Sequence, residues 1–152
     1  MVIMEHFPET EPQPKSAADR YVEEARAAIE PRYSPQQAYE SMLLGEIVLM
    51  DMREKQQQEK DGLIDGAFVI PPNSVEYRCD PTAEDGARSD AIQSSNHDQK
   101  VVLICNQGYA SALRAYVLRG ERFRLRFATD VEGGMQAWIA AGLPVMPYPN
   151  EP

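Results

Sequence analysis

The chain has 152 residues, of which 43% are hydrophobic and 26% charged, with a formal net charge of −9. That length suits one domain able to bury a core without disulfide or metal staples, and two cysteines, Cys79 and Cys105, are too few for a disulfide framework or a zinc site. The acidic balance argues against general nucleic-acid binding, and apolar runs such as Ile47–Met50 and Val101–Cys105 are far too short to span a membrane.

Residues 1–15, MVIMEHFPETEPQPK, are rich in Pro and Glu without periodicity and are expected to form a flexible leader. They lack the charged-then-apolar order of a signal peptide, so a cytoplasmic protein is expected. Residues 16–33 predict a helical extension. Ser16 and Asp19 can form a capping pair, Tyr21, Val22, Ala25 and Ile29 recur at helical spacing, and Pro31 ends the helix. The stretch SPQQAYESMLLG predicts a second helix, with Ser34 as N-cap, Pro35 in the first turn and Gly45 as the stop. Ile47–Asp51 has the length and composition of a buried parallel strand.

The charged stretch 53–61 predicts no element. Ala67–Ile70 predicts a second strand, closed by Pro71 and Pro72. NSVEYRCDP has room for one helical turn, and the polar stretch after it for a short helix at Ser89–Gln93. Val101–Cys105 is the third expected strand and Ala110–Arg119 the next helix, ended by Gly120. FATDV supplies a fourth strand, and GGMQAWIAAGLPV a closing helix stopped by Gly142 and Pro144. One domain is expected over residues 34–147, with a tail over 148–152. Short strands alternating with helices predict an α/β fold with a mainly parallel sheet.

In such folds ligands gather at the carboxyl ends of strands, where Cys105 falls. Gly108 permits the loop 106–111 to curl and turn several N–H groups inward, and the dipole of the following helix favours an anion there. The nearest candidate anion is the Cys105 thiolate, and the same cradle would stabilise a persulfide or an oxyanion on sulfur. Spacing alone leaves a buried structural cysteine equally open. The two histidines, His6 and His97, sit in polar contexts away from both cysteines, which disfavours a Cys–His pair. RGERFRLRF (119–127) reads as a solvated helix end or loop, with a docking patch for an acidic partner as the alternative.

DMRE (51–54), GLIDGAFVIP (62–71), VVLICNQGYAS (101–111) and VEGGMQAWIAAGLPV (131–145) follow one another in an order that resembles single-domain rhodanese-like proteins. The resemblance implies a rhodanese-like three-layer fold over 34–147, with a central, mainly parallel sheet flanked by helices. It also implies a sulfurtransferase in which Cys105 takes a sulfane sulfur from thiosulfate or a persulfide donor and passes it to a thiol or cyanide. A protein sulfur donor or acceptor fits the same chemistry. Cys105 would be the nucleophile, with Asn106, Gln107, Gly108, Tyr109, Ala110 and Ser111 binding substrate. Asp51 and Arg53 would fix the loop after the first strand, and Gly133 and Gly134 the turn beneath Trp138. No metal, organic cofactor, nucleic acid or membrane is expected. The alternative is a non-catalytic binding or redox-sensing module of the same fold.

The loop departs from the family in its charge. The position before Ser111, often Arg and in other members Thr or Ser, is Ala110, and Asn106, Gln107 and Tyr109 are uncharged. A missing charge-assisted pair would weaken thiosulfate binding by about 1.5–3 kcal/mol, which favours persulfides or protein-bound sulfur as donors. Arg78 is a candidate replacement, against a surface salt bridge with Glu76 or Asp80. Cys79 is expected to be filler, with a resolving thiol as the alternative. Tyr109 is expected at the pocket entrance. Ser111 either caps the helix or bonds the thiolate. Related phosphatase chemistry wants Arg six positions after the cysteine, where this chain has Ser111.

Overall fold

The computed structural model describes residues 15–150, so the expected leader lies outside the described residues except for Lys15. Four strands, β1 (Val48–Asp51), β2 (Phe68–Val69), β3 (Val101–Ile104) and β4 (Thr129–Asp130), form one sheet in the order β2-β1-β3-β4. Every pairing is parallel, with Asp51 level with Ile104 and Leu103 level with Asp130. The helices are α1 (Ala17–Ala28), α2 (Pro35–Leu43), α3 (Lys55–Asp61), α4 (Val75–Arg78), α5 (Ala110–Arg119) and α6 (Gly134–Ala140). The architecture is the expected α/β one.

Side chains alternate across a strand, so each strand feeds two cores. Met50, Met52, Val101, Leu103 and Cys105 face Ile29 of the extension, Val75, Cys79, and Ala112, Ala115 and Leu118 of α5. Ile47, Leu49, Val102 and Ile104 face Ala38 of α2 and Met135 and Trp138 of α6. With both faces covered, β3 is buried throughout, which is why its sequence is continuously apolar. Trp138 is fully buried, donates from Nε1 to the Pro144 carbonyl at 3.0 Å and meets Tyr39 edge-on at 5.8 Å.

The capping serines behave as their sequence context predicts. The Asp19 amide donates to Ser16 Oγ at 3.0 Å and the Gln37 amide to Ser34 Oγ at 3.2 Å, each within a reciprocal capping box. Two elements differ from expectation. Residues 55–61 form α3 although KQQQEKD has no apolar face; its one buried residue, Gln58, donates to the Arg53 carbonyl at 3.1 Å. Ser89–Gln93 is a run of turns and not a helix. There Gln99 Oε1 accepts the Gln93 amide at 2.9 Å, the N–H that a helix would give to the Ser89 carbonyl, and Gln99 Nε2 donates to the Ala91 carbonyl at 2.7 Å.

The extension is docked on the domain. Its α1 packs on α5, with Tyr21 and Tyr116 rings 6.2 Å apart. Tyr33 then bridges the end of β4, its amide donating to the Asp130 carbonyl at 3.1 Å and its carbonyl accepting from Glu132 at 2.8 Å. Most of the arginine-rich stretch binds its own chain. Arg119 donates to the Ala28 and Ala128 carbonyls at 2.9 and 2.8 Å, Arg124 to Glu121, and Arg126 pairs with Asp98 at 3.3 Å.

The loop after β1 is held by a buried ion pair. Arg53 Nε and Nη2 donate to the two Asp51 carboxylate oxygens at 3.0 and 2.7 Å, and Nη2 also reaches the Gly62 carbonyl at 2.8 Å. Both side chains are fully buried. Removing one partner strands a buried charge, so Arg53→Met and Asp51→Ala should each lower unfolding free energy by about 3–5 kcal/mol in urea titrations.

Burial, with Glu76 as the lesser cause, pushes the Cys79 thiol up from its ordinary 9.0 to about 12. The unfolded thiol ionises first, so this group's contribution to stability is whole below pH about 9 and is lost as pH rises toward about 12. Denaturation midpoints measured across that range should fall more steeply for the wild type than for Cys79→Ala.

Candidate active site

A helix begins with amide protons that no residue of its own can accept. In α5 the N-cap position is Tyr109, whose side chain makes no capping bond. The acceptor is instead the sulfur at the end of β3. The Gly108 and Ser111 amides donate to Cys105 Sγ at 3.1 and 3.4 Å. These donors and the helix dipole both stabilise negative charge on that sulfur. The loop can curl this tightly because Gly108 adopts φ +85°, and a Cβ there would lie 3.0 Å from the Gly133 nitrogen. Gly134, at φ +59°, sits closer still: its Cβ would fall 2.4 Å from the Cys105 carbonyl oxygen and 2.8 Å from the Asn106 carbon. The GG pair is therefore the floor on which the cysteine loop rests.

The sulfur has a third neighbour. Cys105 Sγ lies 3.1 Å from Ser111 Oγ, and Ser111 Oγ donates to Asp130 Oδ2 at 2.7 Å. Asp130 in turn receives Arg32 Nε at 2.7 Å and Nη2 at 3.2 Å. Of the two expected roles for Ser111, contact with sulfur is the one the geometry provides; it lies inside the first turn of α5 and caps nothing.

Cys105 is 7% exposed at one wall of a cavity of about 470 Å³. Asn106, Gln107, Tyr109 and Ala110 form the loop side, and Met52, Arg53, Glu54, Gln57 and Pro72 the facing side. Gly108 and Ser111 are buried. Arg78 is not brought to this cavity. Its Nη1 donates to the Gly86 and Ala87 carbonyls at 3.0 and 3.4 Å, it lines a separate hollow beside β2, and Glu76 pairs with Arg114 instead. His97 binds the Phe123 carbonyl at 3.0 Å. Among the described residues no cluster of His, Cys, Asp or Glu could hold a metal ion, and no helix is long and apolar enough to cross a membrane.

Besides Met52, Glu54, Gln57 and Pro72 on the facing wall, three neighbours of the cysteine loop escaped sequence reasoning. Arg26 of α1 donates to the Gly108 carbonyl at 3.1 Å and lies 5.3 Å from the Tyr109 ring centroid. Arg32 and Asp130 form the ion pair beside Ser111. The one available signal was Asp130 itself, a carboxylate inside FATDV that must find a partner if the strand is buried.

The parallel sheet, the strand-end cysteine and its amide cradle define an α/β protein built around a thiol loop. The chain belongs to the rhodanese-like domain family, whose model matches residues 34–141. A search of curated proteins finds no match. Among solved structures, the chain is similar to a Rhodopseudomonas palustris protein of unknown function described as a possible tyrosine phosphatase, at 26% identity and a TM-score of 0.69, covering 92% of this chain and 99% of that one. That overlap is longer than the family-matched segment. A rhodanese-related protein from Thermoplasma volcanium matches at 28% identity and a TM-score of 0.52, covering 76% of this chain and 96% of that one. The polysulfide-sulfur transferase homodimer of Wolinella succinogenes shares the fold at 21% identity and a TM-score of 0.53, covering 86% and 89% of the two chains.

Gly134→Ala forces a methyl against the Cys105 carbonyl, and should lower stability by about 1–3 kcal/mol in chemical denaturation.

Proposed function

We propose that this protein is a sulfurtransferase that carries a sulfane sulfur on Cys105, with a persulfide as the donor. The observation that carries this reading is the sulfur of Cys105 set as acceptor for the Gly108 amide of the loop and the Ser111 amide of α5, at the wall of an open cavity. Membership of a family whose solved structures include a polysulfide-sulfur transferase supports the same chemistry.

In the first step the Cys105 thiolate attacks the outer sulfur of the donor R–S–S⁻. A Cys105 S–S bond forms, the donor S–S bond breaks, and its electron pair leaves on the thiolate RS⁻. In the second step an acceptor thiolate or cyanide attacks the outer sulfur of the Cys105 persulfide, and the Cys105 thiolate leaves. The amides of Gly108 and Ser111 stabilise the anion at both ends of the cycle. No electrons are gained or lost overall, so no oxidant is required.

The neutral loop favours a persulfide over the doubly charged thiosulfate. Asn106, Gln107, Tyr109 and Ala110 bring no cation to the cavity, and the charge of Arg53 on the facing side is balanced by Asp51, although its buried Nη1 has no hydrogen-bond partner. Phosphatase chemistry is disfavoured for a related reason. The residue six positions after the cysteine is Ser111, and it is bonded to a carboxylate where a phosphate would want a guanidinium.

Incubation with glutathione persulfide, followed by intact mass measurement, should add the mass of one sulfur atom to the wild type and none to Cys105→Ser. Thiosulfate should load the protein at least tenfold more slowly. A wild-type protein left unloaded by both donors, and by a cysteine-desulfurase system, would make the chain a binding or sensing module instead.

A further inference from the structure

Ser111 has one hydroxyl proton and two groups within reach of it. Asp130 Oδ2 is 2.7 Å away and Cys105 Sγ 3.1 Å away. Asp130 is fully buried, and both of its carboxylate oxygens accept from the two prongs of Arg32. A hydrogen bond to a carboxylate is the stronger of the two available, so the proton lies toward Asp130. What Ser111 Oγ then offers to sulfur is its lone pairs. The bond between the two is closed by the proton of the thiol, with Cys105 donating.

We propose that Arg32, Asp130 and Ser111 form a positioning chain that restrains Cys105 as the thiol, against the two amides that favour the thiolate. This inference rests on the reading of Cys105 as the reacting thiol and adds a control on it. Asp130 fixes the direction of the Ser111 proton, and Arg32 fixes the Asp130 carboxylate. Neither lines the cavity, so they act through Ser111 alone. When the thiol reacts, its hydrogen bond to Ser111 and its S–H bond break, the new S–S bond forms on Cys105, the donor S–S bond breaks, and the proton ends on the departing RS⁻ as RSH. Arg32 lies before the segment 34–141 that the family model matches, so the restraint depends on a residue that the docked extension supplies.

The test measures alkylation of the full-length protein by iodoacetamide at pH 7, which requires no sulfur transfer. Cys105→Ser supplies the blank, and Cys79, fully buried and with its proton held to about 12, stays unmodified. Ser111→Ala removes the proton acceptor, and Cys105 should react about three- to tenfold faster, the range expected for the loss of one hydrogen bond. Asp130→Asn frees the hydroxyl to turn toward sulfur and should also accelerate the reaction. In the double variant Asp130→Asn should add nothing to Ser111→Ala. A slower or unchanged Ser111→Ala overturns the proposal, because the hydroxyl would then donate to the thiolate or stand idle. An equal acceleration by Asp130→Asn with and without Ser111 overturns it too, since Asp130 would then act by charge alone. Should Asp130→Asn fail to fold, as judged by circular dichroism, the sign of the Ser111→Ala effect decides by itself. Faster alkylation in Ser111→Ala beside a wild type that loads no sulfur supports the restraint and overturns the sulfurtransferase reading.

Discussion

The first turn of a helix must hand its amide protons to some acceptor, and in α5 the Ser111 amide, joined by the Gly108 amide of the preceding loop, goes to a cysteine sulfur. Much of the architecture follows from that one substitution of sulfur for a capping oxygen. β3 has to end where the sulfur can reach the helix, the loop between them has to curl through a positive-φ glycine, and a second glycine has to clear the space beneath the Cys105 carbonyl. The alternation of β3 then places Cys105 on the same face as Val101 and Leu103, against α5.

On either side of Cys105 a carboxylate ends the neighbouring strand. Asp51 closes β1 and Asp130 closes β4, both fully buried, and each is answered by a two-pronged arginine. The two pairs do different work. Arg53 comes two residues after Asp51 and ties down the local loop. Arg32 comes from 98 residues earlier in the chain and locks the extension to the element that holds Ser111. Such pairs contribute little net stability against apolar replacements, but they tolerate no loss of one partner, which makes them effective at fixing geometry.

The elements with apolar periodicity or capping residues were legible in the sequence. Ser16 and Ser34 announce their helices, VVLIC announces a buried strand, and the run to Arg119 ends at Gly120 as its composition implies. α3 was not legible, because KQQQEKD has neither an apolar stripe nor a Ser, Thr, Asp or Asn cap and is held through Gln58. Ser89–Gln93 looked helical because local composition does not show that Gln99 takes up its Gln93 amide and Ala91 carbonyl.

The sequence by itself determined the strand–cysteine–glycine–helix order, and with it a sulfur facing backbone donors, since those features depend on residues close together in the chain. Only the tertiary structure decided which side chains surround that sulfur. Arg78 sat near a plausible place in the sequence and turned to the loop at Gly86 and Ala87, whereas Arg26, Arg32 and Asp130 came from distant segments to the cysteine loop. The reason is physical. A buried charge takes whichever partner the packed fold brings within hydrogen-bond reach, and that distance is set by how α1 docks on α5 and Tyr33 on β4, not by separation along the chain.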